Sequence, residues 1–230
     1  ITKAGLIGGG KNPRPGEISL SHLGILFLDE FLEFKKEIID LLREPLEEKE
    51  INISRFNISV KYPCNFLLIA SLNPCPCGYY GSNIKQCVCT ENERKRYISK
   101  LSGPMFDRFD MQISVFPIKY DELKEIKSDE SKKIKERVTV ARNIQLERYK
   151  NENINYNSEL TQELIEKYCK LDSKTTEMLN QYYRTTKLST RGYFKILKIA
   201  RTISDLEQSK NIMQKHIIEA LQYRKKEINE

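Results

Sequence analysis

Residues 24–30, GILFLDE, constrain this chain more than any other stretch. Ile25, Leu26, Phe27 and Leu28 form an apolar run of strand length, the pattern of a parallel strand buried on both faces. The run ends in Asp29 and Glu30. Open α/β sheets gather their ligands at the C-terminal edges of parallel strands. Two adjacent carboxylates at such an edge are placed to hold a divalent cation and to orient a water. The plainer alternative is an acid pair at the start of the next helix, where the helix dipole favours negative charge.

An acid pair of this kind works with a phosphate-binding loop upstream. GLIGGGKN, residues 5–12, has Gly5, Gly10 and Lys11 at the spacing of such a loop. Three features argue against it. Asn12 stands where a Mg²⁺-binding hydroxyl belongs. Pro13 and Pro15 disfavour the helix whose N-terminus would hold phosphates. Only 14 residues separate Lys11 from Leu26, too few for a helical crossover between parallel strands. The loop is therefore expected before residue 1, and the chain is expected to be a truncated portion; its first residue, Ile1, agrees.

The 230 residues suffice for one large domain or two small ones. Hydrophobic residues make up 39% and charged residues 31%, as in a soluble globular protein. No apolar run approaches the roughly 20 residues that span a bilayer, and no signal-peptide pattern opens the chain. A soluble, cytoplasmic protein is expected. Residues 1–24 read as loop or hairpin, and residues 35–46 as a helix with Ile38, Ile39, Leu41, Leu42 and Leu46 on one face, closed by Pro45. Alternation in INISRFNISVKY predicts a hairpin turning at residues 55–57. FLLIASLNP reads as a second buried strand stopped by Pro74, and MQISVFP, residues 111–117, as a third. The expected division is an α/β part over residues 1–120, a charged connecting helix over 121–156 and a helical part over 157–230.

Four of the six cysteines, Cys75, Cys77, Cys87 and Cys89, crowd into 15 residues as two C-x-C pairs. Four thiolates in two pairs can close a tetrahedral Zn²⁺ site, with Pro76, Gly78 and Gly81 supplying turns. Reduced thiols, an iron–sulfur cluster and disulfides are the alternatives. No histidine lies near the cluster, which argues against catalytic zinc. Cys64 and Cys169 stand apart and read as buried thiols. The formal charge of +7 and pI near 9.0 permit a polyanionic partner, and a solvated lysine-rich surface is the blander reading.

Five segments occur in one order: GGGKNPRPGEISLSHLGILFLDEF, LREPLEE, NPCPCGYYG, LSGPMFDRFD and STRGYFKILKIARTISDLE. Together they resemble the Mg-chelatase-like AAA+ ATPases of the ComM/YifB type. The resemblance covers nearly the whole chain. It implies the C-terminal part of an AAA+ P-loop ATPase core, a parallel sheet with helices, followed by an all-helical lid. In the family's sheet order, 5-1-4-3-2, strands near Leu26 and Leu68 pair in parallel while one near Ile113 lacks its neighbour.

The resemblance also implies roles. Asp29 matches the Walker B acid that holds Mg²⁺, and Glu30 the base that orients the attacking water. Asn73 matches the sensor of the ATP γ-phosphate or lytic water, where an Asn turn before Pro74 is the plain alternative. Arg108 matches the arginine finger that reaches ATP on a neighbouring subunit, which implies a homo-oligomeric ring, a hexamer in this family. A surface arginine paired with Asp107 or Asp110 is its alternative. Arg191 matches the lid arginine that contacts nucleotide, with Ser189 and Thr190 able to cap its helix. Lys11, Arg14, Lys49, Arg55 and Lys61 fall on elements that face the channel in ring helicases and suit a DNA backbone. A DNA helicase or branch-migration motor is the first expectation. A magnesium chelatase motor subunit and a non-catalytic, zinc-braced DNA-binding module are the alternatives. Without a phosphate loop, the chain alone is expected to be inactive.

Overall fold

The computed structural model describes residues 1–10, 12–55, 58–115, 130–186 and 188–224. The chain divides into two compact units, Ile1–Phe109 and Asp110–Lys225, each with its own core.

The first unit opens with α1 (Lys3–Ile7), a short antiparallel hairpin of β1 (Gly8–Gly9) and β2 (Arg14–Pro15), and α2 (Glu17–Leu20). The glycine-rich opening is thus a hairpin and not a phosphate loop; Lys11 itself lies outside the described residues. Gly16 is required where it stands. A Cβ there would lie 2.4 Å from the Gly8 nitrogen, a distance no side chain tolerates.

β3 (Ile25–Leu28) and β6 (Leu67–Ala70) form the parallel pair expected, with Ile25 opposite Leu67 and Leu28 opposite Ala70. Burial alternates, which corrects the expectation of strands covered on both faces. Leu26 and Leu28 turn into a core with Phe31, Leu32, Ile39 and Leu42, while Ile25 and Phe27 are 60% and 59% exposed. Leu67 and Ile69 extend the same apolar face, which no layer covers among the described residues.

The helix expected over residues 35–46 is two, α3 (Lys36–Asp40) and α4 (Arg43–Glu48). Pro45 does not close a helix; it sits in the first turn of α4. There its missing N–H has no intrahelical acceptor to lose. The apolar face is nevertheless right, since Ile39 and Leu42 are buried. β4 (Glu50–Arg55) and β5 (Ile58–Pro63) form the expected hairpin, Glu50 opposite Pro63 and Arg55 opposite Ile58. Its turn, residues 56–57, lies outside the described residues. After β6 come the cysteine loop, α5 (Glu91–Ile98) and α6 (Gly103–Phe106).

The third strand does not form over residues 111–115, where Ile113 and Val115 are 70% and 88% exposed; residues 116–117 lie outside the described residues. A strand is stabilised by pairing, and among the described residues no strand pairs with this segment, whose Gln112 N–H donates instead to Tyr223 O at 2.8 Å. The 120/121 boundary and residues 121–129 of the connecting helix also fall outside them.

In the second unit α7 (Glu130–Arg148), α8 (Gln162–Tyr168), α9 (Ser173–Thr186), α10 (Thr190–Leu206) and α11 (Gln214–Gln222) surround Leu179, Ile196, Ala200, Ile203 and Ile217. Ser189 caps α10 by accepting the Gly192 N–H at 3.1 Å. No helix among the described residues is long and apolar enough to cross a membrane.

A charged node pins this unit. Asp205 is fully buried and accepts hydrogen bonds from both terminal nitrogens of Arg148, from Asn157 Nδ2 at 2.9 Å, and an ion pair from Arg201 at 3.2 Å. Removing one member of a buried ion group strands the others. Asp205→Ala is expected to lower stability by about 3–5 kcal/mol, read as a reduced urea midpoint in the helical signal. A loss within experimental error would show that the node contributes nothing net.

Candidate active site and metal centre

The parallel pairing of β3 and β6 continues past the strands. Ser71 N–H donates to Leu28 O at 3.0 Å, and Phe31 N–H donates to Ser71 O at 2.8 Å. This brings the turn after β3 against the residue after β6. Ser71 Oγ–H donates to Asp29 Oδ1, and Glu30 N–H donates to Asp29 Oδ1 at 3.0 Å and to Ser71 Oγ at 3.2 Å. Asp29 and Glu30 are both exposed. Glu30 adopts the left-handed conformation, φ 50°, which costs a non-glycine residue about 1–3 kcal/mol and persists only where neighbours hold it. The three bonds around its amide supply that hold. Two donors occupy Asp29 Oδ1, so Oδ2 is the oxygen left to meet a cation. The acid pair fits a Mg²⁺-nucleotide in this respect.

Asn73 is exposed, two residues beyond Ser71, beside the turn made by Gly78 at φ 80°. Ser71 is the residue that reading the sequence overlooked. The available signal was a hydroxyl opposite Asp29 in parallel register.

The cysteine loop follows at once. Sulfur–sulfur distances are 3.4 Å for Cys75–Cys77, 3.7 Å for Cys75–Cys87 and 3.6 Å for Cys77–Cys87, and the four ligand atoms, Cys89 included, lie within 4.8 Å of one another. A tetrahedron with metal–sulfur bonds of about 2.3 Å has edges of about 3.8 Å. The thiols are all free, and these distances exclude disulfides, whose sulfurs stand about 2.05 Å apart. Backbone N–H groups of Tyr79 and Val88 hold the Cys77 thiol down to about 6, whereas burial pushes Cys87 up and Cys89 up to about 12. Four thiolates this close repel one another unless a cation sits among them. The quartet can therefore hold a metal ion.

The loop is tied back to the acid turn through α5. Thr90 caps α5 in a reciprocal box with Glu93, and the Arg94 guanidinium donates to Cys89 O at 3.1 Å while lying over the Tyr80 ring. One turn later Tyr97 O–H donates to Glu33 at 2.9 Å and Lys100 Nζ donates to Leu32 O at 2.7 Å. Burial, and then Glu33, push the Tyr97 hydroxyl pKa up, which keeps it a donor. Acid turn, Ser71, cysteine loop and α5 thus form a closed circuit.

Arg108 lies elsewhere on the first unit. Its Nε donates to Arg43 O at 3.1 Å, Nη1 to Pro104 O at 2.5 Å and Nη2 to Glu47 at 2.5 Å, and its side chain is 10% exposed. Glu47, on α4, is a carboxylate partner. Arg191 is the second residue of α10, in the second unit. Of the basic set, Arg14 is on β2 and exposed, and Lys49 closes α4 in the left-handed conformation. Lys61 pairs with Glu50 across the hairpin at 2.8 Å. Arg55 ends β4, with its side chain outside the described residues.

The chain purified without chelator is expected to carry one metal ion, and Cys75→Ser or Cys89→Ser to lose it. Ligation releases thiol protons, so apparent affinity should weaken as pH falls. Competition with a chromophoric chelator at two pH values reads this. Tighter binding at the lower pH would rule out thiolate ligation.

A magnesium chelatase subunit ChlI family profile matches residues 1–125, and the ChlI C-terminal profile matches residues 128–224. The competence protein ComM of Haemophilus influenzae is 41% identical over 95% of this chain, and YifB of Escherichia coli is 39% identical over 95%. This chain spans 42% of the length of each. The magnesium-chelatase 38 kDa subunit of Acidiphilium rubrum is 33% identical over 30% of the chain and 20% of that protein. The partial parallel sheet with its acid-tipped strand, the helical second unit and these matches agree: the chain belongs to the magnesium chelatase ChlI family of AAA+ ATPase-like proteins, alongside ComM and YifB.

Proposed function

We propose that the chain is part of an ATP-driven ring motor that acts on DNA, a helicase or branch-migration ATPase. The observation that carries the ATPase reading is the acid pair at the C-terminal edge of β3, with one Asp29 oxygen anchored and the other available. Bound Mg²⁺-ATP supplies the reacting phosphoryl group. Asp29 holds the cation and Glu30 orients the attacking water and takes its proton. Asn73 senses the γ-phosphate, and Arg191 contacts nucleotide from the lid. Residues 1–120 are the C-terminal part of the core, 121–156 the connector and 157–230 the lid.

Arg108 serves a neighbouring subunit as the arginine finger in a homohexameric ring. That role requires its bonds to Glu47 and two carbonyls to exchange for phosphate oxygens on assembly. The cysteine quartet holds structural Zn²⁺, supported by the sulfur spacing and by four ligands that leave no open position. DNA is the partner of Lys11, Arg14, Lys49, Arg55 and Lys61, a reading supported by Arg14 on the first hairpin and by Arg55 and Lys61 on the second. The compartment is the cytoplasm.

A second reading, a chelatase motor subunit, is supported by the family profiles and the Acidiphilium match. Turnover stimulated by DNA favours the first reading; turnover indifferent to DNA and raised by a chelatase partner favours the second. DNA binding without any turnover leaves a zinc-braced binding module.

In the whole protein, Glu30→Gln is expected to lower kcat about 100-fold or more with ATP binding retained, and Arg108→Ala to lower it about 1,000-fold. Mixing the two inactive variants should restore part of the activity, because each supplies what the other lacks across a subunit boundary. No recovery in mixed rings, with both singles inactive, would place Arg108 in cis.

A further inference from the structure

We infer that Ser71 is a positioning residue for both acids, and that it passes the state of the loop after β6 to the turn after β3. The inference rests on the ATPase reading of Asp29 and Glu30. Ser71 is the partner of Asp29 in the continued parallel register, one residue past the Leu28–Ala70 pair. Its backbone N–H and C=O bond Leu28 and Phe31, on either side of the acids, so its hydroxyl is fixed between them. That hydroxyl does two things at once. As donor it engages Asp29 Oδ1, which leaves Oδ2 as the oxygen to meet a cation; as acceptor it receives the Glu30 amide at 3.2 Å.

The Glu30 amide needs that acceptor. The residue stands at φ 50°, ψ 45°, a conformation in which the direction of its carboxylate depends on how firmly its backbone is held. Asp29 Oδ1 alone also accepts this amide, but only while Ser71 holds the carboxylate in place. Alanine at 71 removes the shared atom and frees both acids together. Threonine keeps the hydroxyl. Ser71 also stands two residues before Asn73 and four before Cys75, so a displacement of the sensor or cysteine loop reaches the acids through it.

Two measurements decide the matter. Amide exchange of Glu30 in this chain, read by NMR, is expected to accelerate in Ser71→Ala and to keep the wild-type rate in Ser71→Thr. Unchanged exchange of Ala200, in the second unit, reports that each variant remains folded there. In the whole protein, Ser71→Ala is expected to lower kcat and to raise the Mg²⁺ concentration needed for half-maximal turnover, each about tenfold, with the ATP KM within about twofold, since Ser71 acts through the two acids it bonds. Ser71→Thr should restore both. Unchanged Glu30 exchange in Ser71→Ala, or a Mg²⁺ requirement that does not move, overturns the inference. If the wild-type protein turns over no ATP, the ATPase reading falls, and the exchange result still decides whether Ser71 holds the turn.

Discussion

The structure of the first unit depends on one parallel pairing, β3 with β6, carried past both strand ends by Ser71. Four residues on each strand give the ladder its register, and that register alone sets which residue faces Asp29. A slip of one residue would put Leu72 opposite Asp29 and expose the Leu26–Leu28 face. The acid turn, Asn73 and the start of the cysteine loop all descend from this alignment. α5 then closes the circuit by returning from Cys89 to Glu33 and Leu32.

Why that circuit should exist follows from what an acid turn needs. An exposed carboxylate on a left-handed residue is free to wander, and its neighbours on one side are only a short strand pair. A metal ion held by the four cysteines would add stiffness beside that short strand pair. In the second unit the same task falls to burial. Asp205, fully buried, bonds Arg148 on α7 and Asn157 and so fixes two segments against α10, where Arg201 completes the node. Such a node is costly to assemble and specifies one arrangement.

Much of this was legible in the sequence, because short-range pattern and chemistry agree there. The apolar run before Asp29, the alternation of INISRFNISVKY and the Ser189 cap each predict their element from residues within one or two turns. The cysteine quartet was legible from composition. What was not legible depends on long-range pairing. Residues 111–115 have strand character, but a strand needs a neighbour. The face of Ile25, Phe27, Leu67 and Ile69, uncovered among the described residues, reflects which layers lie against it, which the strands' own residues do not encode. Pro45 was misread because a proline ending one helix and one in the first turn of the next share a local pattern. Ser71 was missed because its partner lies 42 residues away. The Glu47 partner of Arg108, 61 residues away, was missed for the same reason.

The central claim is that the cysteine centre and the acid turn form one mechanical unit. Hydrogen exchange of the chain loaded with Zn²⁺, and again after chelation, tests it most directly. The account predicts that stripping the metal deprotects residues 28–33 and 71–73 as well as the cysteine loop, while residues 190–206 keep their protection. Deprotection confined to residues 75–89, with the acid turn unchanged, would contradict it.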